Sequence, residues 1–196
     1  MAMLSDGGIE LIFRNARSHS IWLEKPVSEV TLEALYELLI LGPTSANSSP
    51  ARFLFIRSRE AKERLRPYLS EGNTEKTMTV PLTAIIGYDL HFYKRLDKLF
   101  PHNAKARSWF EGNDELVQAT AFRNGTLQGA YLIVAARALG LDCGPMSRFD
   151  NAGVDAEFFP AGDVKSNFLC NIGYGDAEAL PPRNPRLEFD EACRVL

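Results

Sequence analysis

No two cysteines in this chain are spaced to share a metal: Cys143, Cys170 and Cys193 are odd in number, far apart and outside any CxxC pattern. That arrangement excludes a disulfide framework and a zinc ribbon, and the three thiols read as plain buried side chains. His19, His91 and His102 lack the i, i+4 spacing of a helical ligand pair and have no cysteine partner, so no metal site is expected. The common nucleotide fingerprints are missing as well. No GxGxxG follows the first strand-like run and no GxxxxGKS/T occurs, which sets aside a Rossmann dehydrogenase and a P-loop enzyme; the lone GYG at 173–175 reads as a turn. Without a GxSxG elbow, the usual machinery of hydrolysis is absent too.

An excess of positive charge is also lacking. The chain has 22 Lys and Arg against 25 Asp and Glu, so it has no general basic field to hold a nucleic acid. Its longest apolar runs, LTAIIGY and YLIVAARALGL, fall short of a membrane span. The N-terminal stretch MAMLSDGGIELIFRNARSH carries Asp6 and Glu10 and resembles neither a secretory signal nor a transit peptide. The expectation is a soluble, cytoplasmic protein with no nucleic-acid or membrane partner.

What remains is an ordinary globular composition, 45% hydrophobic and 24% charged over 196 residues, enough for a single domain over 1–196. Helices are expected over 7–16, 28–41, 59–69 and 113–140, and strands over 52–57, 82–88, around 141–144 and over 165–175. The second helix shows its period in Leu32, Leu35, Leu39 and Ile40. The long fourth helix has Asn113 or Asp114 to cap its start and Gly140 its end, and carries Gly125 and Gly129 inside. Each interior glycine costs about 1 kcal/mol relative to alanine, so a closely approaching backbone is expected there. From the residues alone, this alternation suggests a doubly wound α/β sheet.

Three polar clusters fall where helices end: NARSH at 15–19, PTSANSSP at 43–50 and GNTEK at 72–76. Free N–H donors beside Arg or Lys suit phosphate and polyol recognition, and together they suit a planar ligand with a polar tail.

The order of these segments resembles the nitroreductase family of flavoproteins. ARSHSIWLEKPV supplies Arg17, Ser18 and Pro26-Val27 where that family has Arg-Arg-Ser before Pro-Val. Pro43, Thr44, Asn47, Pro50 and Phe53 match its Pro-Ser-x-x-Asn-x-Gln-Pro-Trp-x-Phe turn, and Asn73 and Lys76 match its Asn-x-x-Lys. Residues 139–142 match its Leu-Gly-Leu-Asp, leading to GPMSRFD, and Arg186 matches the basic ending. A narrower resemblance, carried by GPTSANSSPAR, ERLRPYLSEGN, LFPH, ARSWF and KSNFLCNIGYGD, is to the branch that reduces malonic semialdehyde in uracil utilisation.

The resemblance implies an α+β nitroreductase-like fold, with a central, mostly antiparallel sheet wrapped by helices in an intertwined homodimer and a C-terminal arm over 181–196. It implies FMN as cofactor and NADH or NADPH as reductant. Arg17, Ser18, His19 and Arg186, with Arg183, would hold the ribityl phosphate. Thr44, Ser45, Asn47 and Ser49 would meet the polar rim of the ring, Asn73 and Lys76 its pyrimidine side, and the backbone of Pro145, Met146 and Ser147 the hydride-bearing N5. No general acid is nominated; Ser147 and His19 are the candidates. The activity implied is reduction of malonic semialdehyde to 3-hydroxypropionate in pyrimidine degradation. A broad nitro or quinone reductase and a non-catalytic flavin-binding protein stay as alternatives.

Departures from the family pattern are Ala16 for its first Arg, Ser20, Ser49-Pro50-Ala51 for Gln-Pro-Trp, and Arg148 where Gly is frequent. The segment 89–113 is a candidate lid. Between His91 and Arg107 it sets Lys94, Arg95, Lys98, Lys105 and Arg107 against Asp97 alone. Arg107 is the candidate clamp for a substrate carboxylate, with Phe92, Tyr93, Trp109 and Phe110 as a cover.

Overall fold

The computed structural model describes residues 3–196. Helices run over Asp6–Ile9 (α1, continued by a wider π turn over Glu10–Arg14), Glu29–Leu39 (α2), Arg59–Leu65 (α3), Glu71–Thr79 (α4), Leu96–Leu99 (α5), Asp114–Ala138 (α6), Asn151–Phe158 (α7) and Phe189–Ala192 (α8). Strands run over Ala51–Ile56 (β1), Leu82–Asp89 (β2), Asp142–Met146 (β3) and Val164–Gly173 (β4). They form one sheet in the order β1-β2-β4-β3, and every pair is antiparallel. The doubly wound expectation is therefore wrong, because alternation along the chain does not fix strand direction. The α+β architecture implied by the resemblance is the one found.

Helix α6 is built as its sequence demands. Asn113 Oδ1 accepts the Leu116 N–H at 3.1 Å, Asp114 and Glu115 sit at the positive end of the helix dipole, and Gly140 ends it at φ +74°. It lies across the sheet with α2 beside it. Leu35 and Leu39 of α2, Leu132 and Ala136 of α6, and Ile86 and Ile172 of the sheet share one buried cluster. Each such Leu or Ile contributes about 1.5–3 kcal/mol by leaving water. The two interior glycines are required by side chains more than by backbone: a Cβ at Gly129 would lie 2.5 Å from the Phe168 ring, and one at Gly125 3.0 Å from Tyr88 Cβ.

Four helices, α4, α5, α7 and α8, lie outside those expected. GNTEK is no loop but the body of α4, whose C-terminal carbonyls at Met78 and Val80 accept hydrogen bonds from the buried Lys62 Nζ. Helix α7 is capped by Asp150, whose Oδ1 accepts the Gly153 N–H at 3.1 Å. The third helix, expected to reach 69, ends at Leu65 and tightens into a 3-10 turn over Arg66–Tyr68 around Pro67. Segment 89–113 folds as a small satellite core: Phe92 and Phe110 are buried with Tyr88, Leu96 and Val117, while Trp109 remains 48% exposed. Two of the four proposed cover aromatics are thus anchors. Among the described residues, no helix is long and apolar enough to cross a membrane.

Candidate functional site

Thr126, Ala130, Ile133 and Arg137 follow one another on a single face of α6 at steps of four, three and four residues. The first three help line an open cavity of about 360 Å³, completed by Pro145, Met146, Ser147 and Phe168. Arg137 lines a second cavity, of about 380 Å³, with Arg17, Ser18, Arg183, Arg186, Asn184 and the 181–182 prolines. Ala130 and Arg137 are seven residues apart, which is about 10 Å along a helix. Strand β3 links the same two places: Ser18 bridges Cys143 at one end, and Met146 ends the strand at the other.

The second cavity is an anion site by its chemistry. Four guanidinium groups line it and no carboxylate does, in a chain whose net charge is −3. Arg137 Nε is buried with no hydrogen-bond partner among the described residues, although an unmet buried donor is costly. An oxyanion in this cavity would supply the missing acceptor. Two of the other guanidiniums also clip backbone together: Arg17 Nη2 donates to Pro181 O at 2.5 Å, and Arg183 Nη2 to Arg14 O at 2.6 Å and Ala16 O at 3.1 Å. The start of the C-terminal arm therefore clasps its own chain. Arg186 donates to Asn184 O and Pro185 O nearby.

His19 does not join them. Its side chain is buried, its Nε2 lies 3.4 Å from Asp142 Oδ1, and its ring lies 6.1 Å from that of Trp22. Strand alternation explains the turn inward: the His19 N–H donates to Cys143 O at 3.0 Å, which sends its side chain away from that of Ser18. His19 thus lines neither cavity, and its backbone ties the segment that carries Ser18 to β3.

The apolar cavity is braced by α4. Asn73 Nδ2 donates to Arg148 O at 2.8 Å, and Thr77 Oγ1 lies 3.7 Å from Met146 Sδ. Lys76 sits on the same helix with its carbonyl accepting from Asn171 Nδ2 at 3.1 Å. Asn73, Lys76 and Pro145–Ser147 are thus brought together, although the Asn73 amide is already engaged with protein.

Residues 44–49 line neither cavity. They are held by buried polar groups of α6 and by α5: Ser45 N–H donates to Asn124 Oδ1 at 2.8 Å, and Asn47 Nδ2 to Leu99 O at 2.8 Å. The Thr44 hydroxyl accepts the Ser49 N–H at 3.1 Å. Ala46, Asn47 and Ser49 all have positive φ, at 49°, 47° and 40°. Small side chains make that left-handed path tolerable, and strain of this kind concentrates at functional loops.

Arg107 lines neither cavity either. Its Nε donates to Glu111 Oε1 at 2.7 Å, and Nη1 lies 3.9 Å from Asp97. Cys143 and Cys170 are buried, and the hydrogen bond that the Cys170 S–H makes to Cys143, then burial, pushes the Cys170 thiol well up, while Cys193 proves exposed rather than buried. Asp89, His91 and Asp163 approach one another, but the Asp89 carboxylate is paired with Arg52. Sequence reasoning missed Arg137; its signal was a basic residue in phase with Thr126, Ala130 and Ile133.

A mostly antiparallel sheet crossed by one long helix, with an anion site and an apolar cavity along that helix, defines a class that comparison with known proteins identifies. The family model for nitroreductases matches residues 13–174, and the chain belongs to the nitroreductase family. A Burkholderia lata protein, provisionally named an NADH dehydrogenase/NAD(P)H nitroreductase, is 57% identical over 195 residues, with 100% of both chains covered. A Ralstonia nicotianae protein of the same provisional name is 53% identical over 196 residues, again covering 100% of both. Among solved structures, a Bacillus subtilis protein provisionally named a nitroreductase matches with a TM-score of 0.89 at 19% identity, covering 98% of this chain and 100% of that one. An Exiguobacterium sibiricum protein of the same kind, solved in complex with FMN, matches with a TM-score of 0.85 at 19% identity over 100% of both chains.

Proposed function

We propose that the protein is an FMN-dependent NAD(P)H oxidoreductase whose cofactor lies along the α6 face, with its phosphate among Arg17, Ser18, Arg137, Arg183 and Arg186 and its ring beside Pro145–Ser147. The observation that carries this reading is the four-arginine cavity with the unpartnered Arg137 Nε, about two helical turns along α6 from an apolar cavity. The names of the relatives and the FMN held by the Exiguobacterium protein support it.

Bound FMN supplies hydride relay between NAD(P)H and an acceptor that occupies the same face in turn. The chain's own task is positioning. The guanidiniums neutralise the phosphate, α4 fixes the 145–148 turn through Asn73 and Thr77, and Ser147 is the side chain at the cavity able to hydrogen-bond an acceptor oxygen. We favour it over His19, whose ring lies buried beside Asp142.

The working unit is a homodimer. Leu116, Phe122, Leu127 and Tyr131 of α6 and Tyr36 and Leu38 of α2 are exposed apolar groups that a second copy would cover. The 44–49 loop, idle in its own subunit, then meets the flavin of the other.

The acceptor we favour is malonic semialdehyde, reduced to 3-hydroxypropionate in pyrimidine degradation, on the narrower resemblance of the PTSANSSPAR and KSNFLCNIGYGD stretches. The open, apolar cavity favours a second reading, a broad nitro or quinone reductase. Comparing kcat/KM for the semialdehyde and a nitroaromatic separates the two. The cofactor reading is tested by titrating apoprotein with FMN and with riboflavin. Binding of FMN tighter by about 100-fold or more is expected from several charge-assisted bonds to phosphate; equal affinity would rule out the arginine cavity as its seat.

A further inference from the structure

We infer that Arg148 anchors the carboxylate of an anionic acceptor at the rim of the apolar cavity; the inference rests on the flavin reading above and names the substrate class of that site.

Arg148 directly follows Ser147, which lines the cavity. Its backbone is pinned from several sides. Arg148 O accepts from Asn73 Nδ2 at 2.8 Å and from Ser70 N–H at 3.4 Å, Phe149 bridges Leu69, and the Asp150 N–H donates to Tyr68 O at 2.8 Å. The Cα is thus fixed while the side chain is exposed, and among the described residues its guanidinium has neither an ion pair nor a hydrogen bond. The mount is preorganised, and binding has only the side chain's own torsions to order.

The cavity itself supplies no competing charge. Its walls are Thr126, Ala130, Ile133, Pro145, Met146, Ser147 and Phe168. A short organic body fits such walls, and a carboxylate on that body needs a counter-charge from outside them; Arg148, next to Ser147, is one, and Arg123, on the adjoining face of α6, is another. Guanidinium meets carboxylate through two parallel hydrogen bonds and stays charged at any working pH. Arg107, the cation that the sequence suggested for this task, is already held by Glu111 and Asp97.

The test uses FMN-loaded enzyme and two acceptors of the same shape, para-nitrobenzoate and uncharged para-nitrobenzamide, with malonic semialdehyde as a third. Arg148→Gln should raise KM for the two carboxylates about 10- to 100-fold. KM for the amide, KM for NAD(P)H and the flavin spectrum should stay as in wild type, and Arg148→Lys should recover part of the loss. Equal losses for the charged and neutral acceptors would reduce Arg148 to a structural role and overturn the inference. So would a rise confined to NAD(P)H, which would assign the guanidinium to nucleotide phosphate, or a charge-dependent loss produced by Arg107→Gln and not by Arg148→Gln. Wild-type protein that takes up no FMN contradicts the underlying reading instead, and Arg148 loses its role with it.

Discussion

Asn73 and Arg148 are joined by a 2.8 Å hydrogen bond from the side-chain amide to the backbone carbonyl, the shortest of the contacts that hold the start of α4 against the turn at the apolar cavity. Asn73 is buried, so the bond is shielded from water. Asn73→Ala should lower stability by about 1–2 kcal/mol, the usual cost of leaving a partly buried acceptor underused. Asn73→Asp should cost more, because it sets a carboxylate oxygen against a carbonyl. Urea midpoints give the stability, and FMN titration should show weaker binding in both variants. An Asp variant as stable as wild type would remove the contact from the account.

Arg137 should give effects of opposite sign in the two states of the protein. Arg137→Met keeps much of the side chain's bulk and removes a buried donor without a partner, so the apoprotein should be no less stable than wild type. FMN affinity should fall about 10- to 100-fold, because a charge-assisted bond to phosphate is lost. If FMN binds Arg137→Met as tightly as wild type, the phosphate lies elsewhere.

At Gly144 the chain has no room for a side chain. A Cβ there would lie 2.4 Å from His19 O, and that carbonyl belongs to the segment carrying Arg17 and Ser18. Gly144→Ala should therefore push this segment off β3, lowering the thermal midpoint and FMN affinity together. Retention of both would mean that the segment shifts freely.

Lys62 makes a prediction in pH. Burial lowers the pKa of its ammonium, which donates to the last carbonyls of α4. Between that lowered value and the ordinary lysine value of about 10.4, the unfolded chain binds more protons here than the folded one, so this residue's contribution to stability rises with pH across that window and is flat below it. The stability of wild type relative to Lys62→Met should rise between neutral pH and the ordinary lysine value of about 10.4. Urea midpoints at the two values check this; a relative stability that falls with pH would contradict the assignment.

Much of the fold was legible where side-chain period and caps agree. The α6 boundaries follow from Asn113 and Gly140, and the strands from short apolar runs between turn residues. Helix α4 was hidden because Gly72, Thr74, Thr77 and Thr79 give it little intrinsic preference, and Lys62, distant in sequence, caps its end. Antiparallel pairing was hidden because alternation of elements carries no information on direction. In the candidate site, Arg17, Ser18, Arg183 and Arg186 were legible through the family resemblance, whereas nothing in the sequence foretold that the His19 ring would lie buried beside Asp142. Arg137 belongs to a helix whose phase relative to the sheet only tertiary packing sets.

The most direct test is the visible absorption spectrum of the FMN-loaded protein under anaerobic conditions, before and after NADH and NADPH. The account predicts flavin bands that bleach with at least one of the nucleotides and return when an acceptor is added. Protein that shows no flavin bands after incubation with FMN, or bands that neither nucleotide bleaches, would contradict it.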